Sequence, residues 1–142
     1  MIVVLHVATG AAAGAAVGSR LGALALGTLL HLAGDLLPHQ DVESRRFEIA
    51  SGVAGVLALG ATRGPLDPAV VGALAASTPD LEHILPLPRP GGRKLFPSHR
   101  RPGWHRSGGL PAWLQVLAAG AILGWLAAPH RPRRAERASL PE

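Results

Sequence analysis

Seven histidines and nine acidic residues stand in a chain of 142 residues. Most of the histidines fall within or beside apolar stretches, at helical spacings from carboxylates. Such groups are expensive to bury unless they are paired or bind a metal. The densest run is His31-Leu-Ala-Gly-Asp35-Leu-Leu-Pro-His39-Gln-Asp41-Val-Glu43. His31 and Asp35 are four apart and share one face of a helix. His39 continues that row one turn on, unless Pro38 bends or ends the helix before it. Alternating imidazole and carboxylate in one row offers a divalent ion both nitrogen and oxygen ligands, with spare carboxylates to orient the rings.

A second cluster is Ser77-Thr78-Pro79-Asp80-Leu81-Glu82-His83. Asp80 and His83 are three apart, the spacing of carboxylate-x-x-His pairs in metal-binding bundles. The competing reading makes Ser77 or Thr78 a helix N-cap and Asp80 a complement to the helix dipole. A third cluster, Phe96 to Arg106, sets His99 and His105 among arginines in a Pro/Gly loop. There the histidines could ligate a metal while Arg100, Arg101 or Arg106 binds a phosphate; the alternative is a solvated basic loop. His6, inside the first apolar stretch, is either a further ligand or a core histidine bonded to a backbone carbonyl. His130, beside Pro129, is expected to be inert. The first-choice ligands are therefore His6, His31, Asp35, Asp80 and His83, with His39 and His99 next.

Several chemistries are excluded. Cysteine is absent, which removes disulfides, thiolate nucleophiles and Cys-ligated metal sites, so any metal must be held by nitrogen and oxygen. There is no Gly-x-Ser-x-Gly elbow and no Gly-Lys-Ser/Thr phosphate loop. Aromatic residues are only 4% of the chain and Tyr is missing, so stacking platforms for single-stranded nucleic acid have little material and nucleic acid is not an expected partner. Ten arginines and lysines fall in two patches, Pro86–Leu110 and the tail after Ala128, flanking one apolar segment. Anionic lipid headgroups, a nucleic-acid backbone or a phosphorylated substrate would suit such patches, as would the plainer reading of a cytoplasmic loop or tail.

The elements that must position these residues are helices. Five apolar stretches follow one another, at 2–18, 21–37, 47–62, 69–85 and 111–128, too long and too rich in Ala and Leu for strands and without period-2 alternation. Charged residues are only 16% of the chain, against about 25% in soluble proteins. The expected fold is an all-α, membrane-associated bundle of four or five helices in residues 1–128, with 129–142 a basic, disordered tail. The first stretch lacks a basic n-region and is expected to be retained rather than cleaved. Gly10, Gly14, Gly18 and Gly22 recur every fourth residue, a small-residue ladder that lets helices approach closely. The best candidate for a span is 113–128, with Trp113 and Trp125 near its ends, although a span needs about 20 apolar residues and these stretches run shorter.

Four short motifs, His6-x-x-x-Gly10, His31-x-x-x-Asp35, Pro79-Asp80-x-x-His83 and Ser98-His99, resemble those of the bacterial membrane-bound metal-dependent hydrolases. These are small helical inner-membrane proteins thought to be related to zinc-dependent phospholipase C. The resemblance covers residues 1–105, and the His31/Asp35 and His39/Glu43 spacings match the His-x-x-x-Asp and His-x-x-x-Glu pairs of the wider group. It implies zinc as the cofactor, location in the cell inner membrane, and hydrolysis of a phosphoester, with membrane lipids as neighbours and a phosphorylated or phospholipid substrate. In that reading Arg100 and Arg101 neutralise charge developing on the phosphoryl group. The other expectations are a non-catalytic integral membrane protein with structural His/Asp pairs, or a metal-handling, transporter-like protein.

Overall fold

The structure, a computed structural model, describes residues 1–104 and 106–128. The basic tail, His105 and His130 lie outside the described residues. Among those described there are six α-helices and no strand: α1 (Val3–Val17), α2 (Arg20–Leu36), α3 (Arg45–Arg63), α4 (Pro68–Ser77), α5 (Pro97–Arg100) and α6 (Ala112–Ala127). A 3-10 segment, Thr78–His83, continues directly from α4, and a second short one lies at Pro90–Gly92. Five of the helices coincide with the five apolar stretches, the fourth stretch being divided between α4 and the 3-10 segment.

Local chemistry sets the boundaries. Ser19 and Ser44 cap α2 and α3 by accepting the Gly22 and Phe47 N–H groups, and Asp67 caps α4 by accepting the Ala69 N–H with Pro68 in the first turn. Leu37 is extended, as a residue before proline prefers to be, and it ends α2 one residue short of Pro38. His39 therefore does not continue the His31/Asp35 row. It sits instead in a backbone link in which its N–H donates to the Arg106 carbonyl, while the Gln40 and Leu110 N–H groups bond the Leu110 and Pro38 carbonyls. Gln115, fully buried, reinforces this link by donating to the Gln40 and Leu110 carbonyls and accepting the Ile2 N–H.

Helix α1 is the central element and contacts α2, α3, α4 and α6. Its buried residues, Val4 to Ala8 with Gly10, Ala11 and Gly14, surround the helix rather than forming one stripe, as expected for a helix enclosed by others. The closest approach is between α1 and α4. A Cβ on Gly10 would lie 2.3 Å from the Gly72 carbonyl oxygen, and one on Gly72 would lie 2.2 Å from the Gly10 carbonyl oxygen. Gly14 meets the Pro68 carbonyl in the same way. The four-residue glycine ladder is thus used over half its length: α1 ends at Val17, and Gly18 closes it in the left-handed conformation at φ 67°.

Among the described residues no helix is long and apolar enough to cross a membrane. Helix α6, with 16 residues, is about 24 Å long, against a hydrocarbon thickness of about 30 Å. Large apolar side chains nonetheless face outward. Leu21 is 80% exposed, and Leu57, Trp113 and Trp125 are each about two-thirds exposed.

The α1–α4 contact yields a direct prediction. Gly72→Ala places a methyl against backbone that has no rotamer to yield, so it should destabilise the fold by about 1–3 kcal/mol or more, read as a lower thermal midpoint in detergent. Gly60→Ala, where an added Cβ meets nothing within 4 Å, should be neutral or stabilising.

Candidate metal centre

The first turns of α1, the last turns of α2, the 3-10 segment after α4 and the short α5 converge on one buried spot. His31 and Asp35 share a face of α2, with His31 Nε2 3.2 Å from Asp35 Oδ2. His99 Nε2, from α5, lies 3.2 Å from the same oxygen and 3.3 Å from His31 Nε2. These three atoms form a nearly equilateral triangle. Ligands of a tetrahedral zinc, at bond lengths of 2.0–2.1 Å, stand ~3.3–3.4 Å apart, so the triangle has the size of one face of such a tetrahedron. Asp80 Oδ1 lies near it, 3.9 Å from His31 Nε2 and 3.7 Å from His99 Nε2.

The far side of each ligand is fixed. His31 Nδ1–H donates to the Ala76 carbonyl at 2.7 Å, which leaves Nε2 turned to the centre. His99 Nδ1–H donates to Glu82 Oε1. Asp35 is 1% exposed and is surrounded by donors: Ser98 Oγ at 2.7 Å on Oδ2, and His6 Nε2 and the Met1 ammonium, each at 3.1 Å, on Oδ1. The His6 ring stacks on His31 at a centroid distance of 4.0 Å, and Phe96 stands edge-on to His31. Gly34 makes room for His6, since a Cβ there would come within 3.0 Å of the ring.

The electrostatics follow from this packing. Burial alone would raise the Asp35 pKa, but hydrogen bonds from His31, His6, His99 and Ser98 prevail and hold it far below the usual carboxylate range. Burial pushes Asp80 up to about 6, with the Asp35 charge adding to the rise and His31 opposing it. His6 is driven down to about 3 by burial and is neutral at ordinary pH. Burial also works against a charged His99, yet Asp35 and Glu82 outweigh it and raise its pKa. Among the described residues two buried side-chain atoms lack a hydrogen-bond partner, His6 Nδ1 and Asp80 Oδ2. Buried polar atoms are seldom left so, and both belong to residues whose ligand atoms, with His31, lie within 4.8 Å of one another.

Among the described residues three groups could hold a divalent ion: His31, Asp35 and His99; His6, His31 and Asp80; and Asp80, His83 and His99. Of the sequence-derived ligands, His6, His31, Asp35, Asp80 and His99 are brought together. His83 joins from the rim: its side chain is exposed, its ring packs on His99 at 4.3 Å, and Lys94 Nζ lies 2.9 Å from its Nδ1. In a 3-10 segment residues three apart are eclipsed, which is why Asp80 and His83 face the same way. Ser77 and Thr78 do not cap this segment; their hydroxyls bond back to the Ala73 and Leu74 carbonyls. His39 and Glu43 stand outside all three groups. The His39 Nδ1–H donates to the Leu37 carbonyl, its Nε2 is 3.1 Å from Asp41, and Glu43 is exposed.

Arg100 and Arg101 are exposed and, with Lys94, His83 and His99, line a depression of about 400 Å³; the Arg101 guanidinium sits 4.5 Å over the Trp104 ring. A second cleft of similar size, lined by Asp41, Glu43, Arg45 and Glu48, also reaches Asp80, His83 and His99. Two residues not among the sequence-derived ligands, Glu82 and Ser98, prove to be buried in the centre. No protein family model, curated protein or solved structure matches the chain.

The two raised pKa values set an expected pH dependence. An ion must displace the proton of His99 and requires Asp80 as carboxylate, so protons compete with it. Affinity for added zinc should fall as pH drops through about 6, where Asp80 protonates, and proton release on binding should grow as His99 gains its proton. Calorimetry in buffers of different ionisation enthalpy measures both; uptake with no proton release would exclude His99 as a ligand.

Proposed function

We propose that the chain is a membrane-associated, metal-dependent hydrolase of a phosphoester, using zinc. The observation that carries this reading is the triangle of His31 Nε2, Asp35 Oδ2 and His99 Nε2 with edges of 3.2–3.3 Å. Three protein ligands with a position left over is the pattern of hydrolytic rather than structural zinc. A bound zinc would supply a nucleophile from water at neutral pH and positive charge for a phosphoryl oxygen.

The chain's own residues have separable tasks. His31 and His99 present Nε2 because Ala76 and Glu82 hold their Nδ1 protons. Asp80 Oδ2, buried at the edge of the triangle without a hydrogen-bond partner, is the carboxylate oxygen that would take a proton there as general base. Arg100 and Arg101, at the mouth beside His99, bind the phosphoryl oxygens and offset their charge. The outward-facing Leu21, Leu57, Trp113 and Trp125 support a lipid neighbour, for which we place the protein at the cell inner membrane.

One observation favours a different reading. Asp35 already has donors on both oxygens, so the cluster is also consistent with a structural hydrogen-bond network that needs no ion. Metal content separates the two. His31→Ala and Asp35→Ala should each abolish zinc content and hydrolysis of a generic phosphodiester while far-UV dichroism stays helical. Arg100→Ala with Arg101→Ala should reduce turnover by roughly 10²–10³-fold with zinc content unchanged. Zinc-free wild-type protein that also fails to bind added zinc would end the hydrolase reading.

The location is tested on its own. The expressed protein should pellet with membranes and resist extraction by high salt and carbonate, which remove electrostatically held proteins. Recovery in the soluble fraction without detergent would refute membrane association.

A further inference from the structure

Glu82 is 4% exposed in a chain where buried carboxylates are few, and its placement is unusual in what it joins. One oxygen, Oε2, accepts the Leu95 N–H at 2.6 Å; the other, Oε1, accepts the His99 Nδ1–H and lies 3.3 Å from the Phe96 N–H. Its backbone carbonyl accepts from Arg89. The 89–104 segment carries Arg93, Lys94, Arg100 and Arg101 and has only one α-helical turn, α5, of four residues. A helix that short has no stability of its own. Ser98, on the same turn, donates to Asp35. The basic segment is therefore fastened to the bundle through two carboxylates, and each fastening also touches a ligand of the triangle.

We infer that Glu82 is the positioning residue of the metal centre, which both aims His99 Nε2 at the ion and seats the basic segment, so that ion binding and segment docking occur together. This rests on the metal reading above. Its physical basis is that a ligating imidazole is oriented by whatever accepts its other N–H. Here that acceptor is the same carboxylate that receives the backbone of Leu95. Whatever strengthens the hold on His99 must strengthen the hold on the segment, because linkage between two events at one group is reciprocal. Arg100, the neighbour of His99, is then held more firmly at the mouth of the centre when the ion is bound.

The test uses full-length protein in detergent, with zinc as the probe, and two readouts besides activity. Zinc affinity and the visible spectrum of the cobalt-substituted protein report His99 coordination. Tryptic cleavage after Lys94 and Arg100 reports segment docking. In wild type, saturating zinc should slow cleavage at both positions by at least ~10-fold, as expected when a ligand stabilises the closed form. Glu82→Gln keeps the shape and one acceptor but removes the charge. It should weaken zinc binding ~10–100-fold, alter the cobalt spectrum and speed cleavage, with high zinc restoring protection. Glu82→Ala should do the same more severely, and Asp67→Asn, at the cap of α4, should change none of these readouts while lowering the thermal midpoint.

The failures are distinguishable. If wild type binds no zinc, the metal reading falls and this inference falls with it. If wild type binds zinc but Glu82→Gln binds it equally tightly, or if zinc leaves wild-type cleavage unchanged, the inference alone is overturned.

Discussion

A carboxylate kept charged inside an apolar bundle is the constraint from which the remaining geometry follows. Asp35 is buried to 1%, and an unpaired charge there would be prohibitive. It is tolerated because partners reach it from separate parts of the chain: the Met1 ammonium and His6 at the start of the chain, Ser98 and His99 on α5, and His31 Nε2 3.2 Å away on its own helix. Each of those contacts also decides a structural question. The His6 bond fixes the register of α1 against α2, and the α5 contacts give a four-residue turn a reason to exist. A neutral side chain at position 35 would release all of these at once, which is why the polar centre is better regarded as part of the fold than as an addition to it.

Much of the helical architecture is legible in the sequence, because the breaks are chemical. Pro38, Gly64-Pro65 and the 86–110 segment stop helices, and Pro68 starts one, for backbone reasons that need no tertiary information. The His31/Asp35 pair is legible for the same reason, since four residues on a helix is a distance. What lies between elements is not. His39 resembles the next member of that row until Pro38 turns the chain away. Glu82 and Ser98 carry no local mark of their partners, which are 17 and 63 residues away. A carboxylate in a chain with few of them was the one available signal for Glu82.

The distribution of side-chain size is as informative as that of charge. Around the α1–α4 contact the interior is built of Gly, Ala and Val, while several Leu and both terminal Trp residues of α6 point outward. Polar groups occupy the middle, Ala, Gly and Val with Ile2, Leu5, Leu59 and Leu126 surround them, and many other large apolar side chains lie outside. Among the described residues no helix is both long and apolar enough to cross a membrane, yet helices of 10–19 residues carry this large apolar surface outward. The basic segment and the mouth of the centre lie next to each other.

The meeting of Gly10 and Gly72 has a mechanical meaning. Where side chains separate two helices, thermal agitation can change the spacing by rotamer exchange, and the helices behave as though sprung. Where carbonyl meets Cα, as here, no such softness exists, and the separation is set by hard atomic contact. His6 stands four residues before Gly10, and Asp80 eight after Gly72. The separation of His6 and Asp80 is thus gauged by two backbones in abutment, and it should hold steady through fluctuations that reshape the leucine-covered exterior.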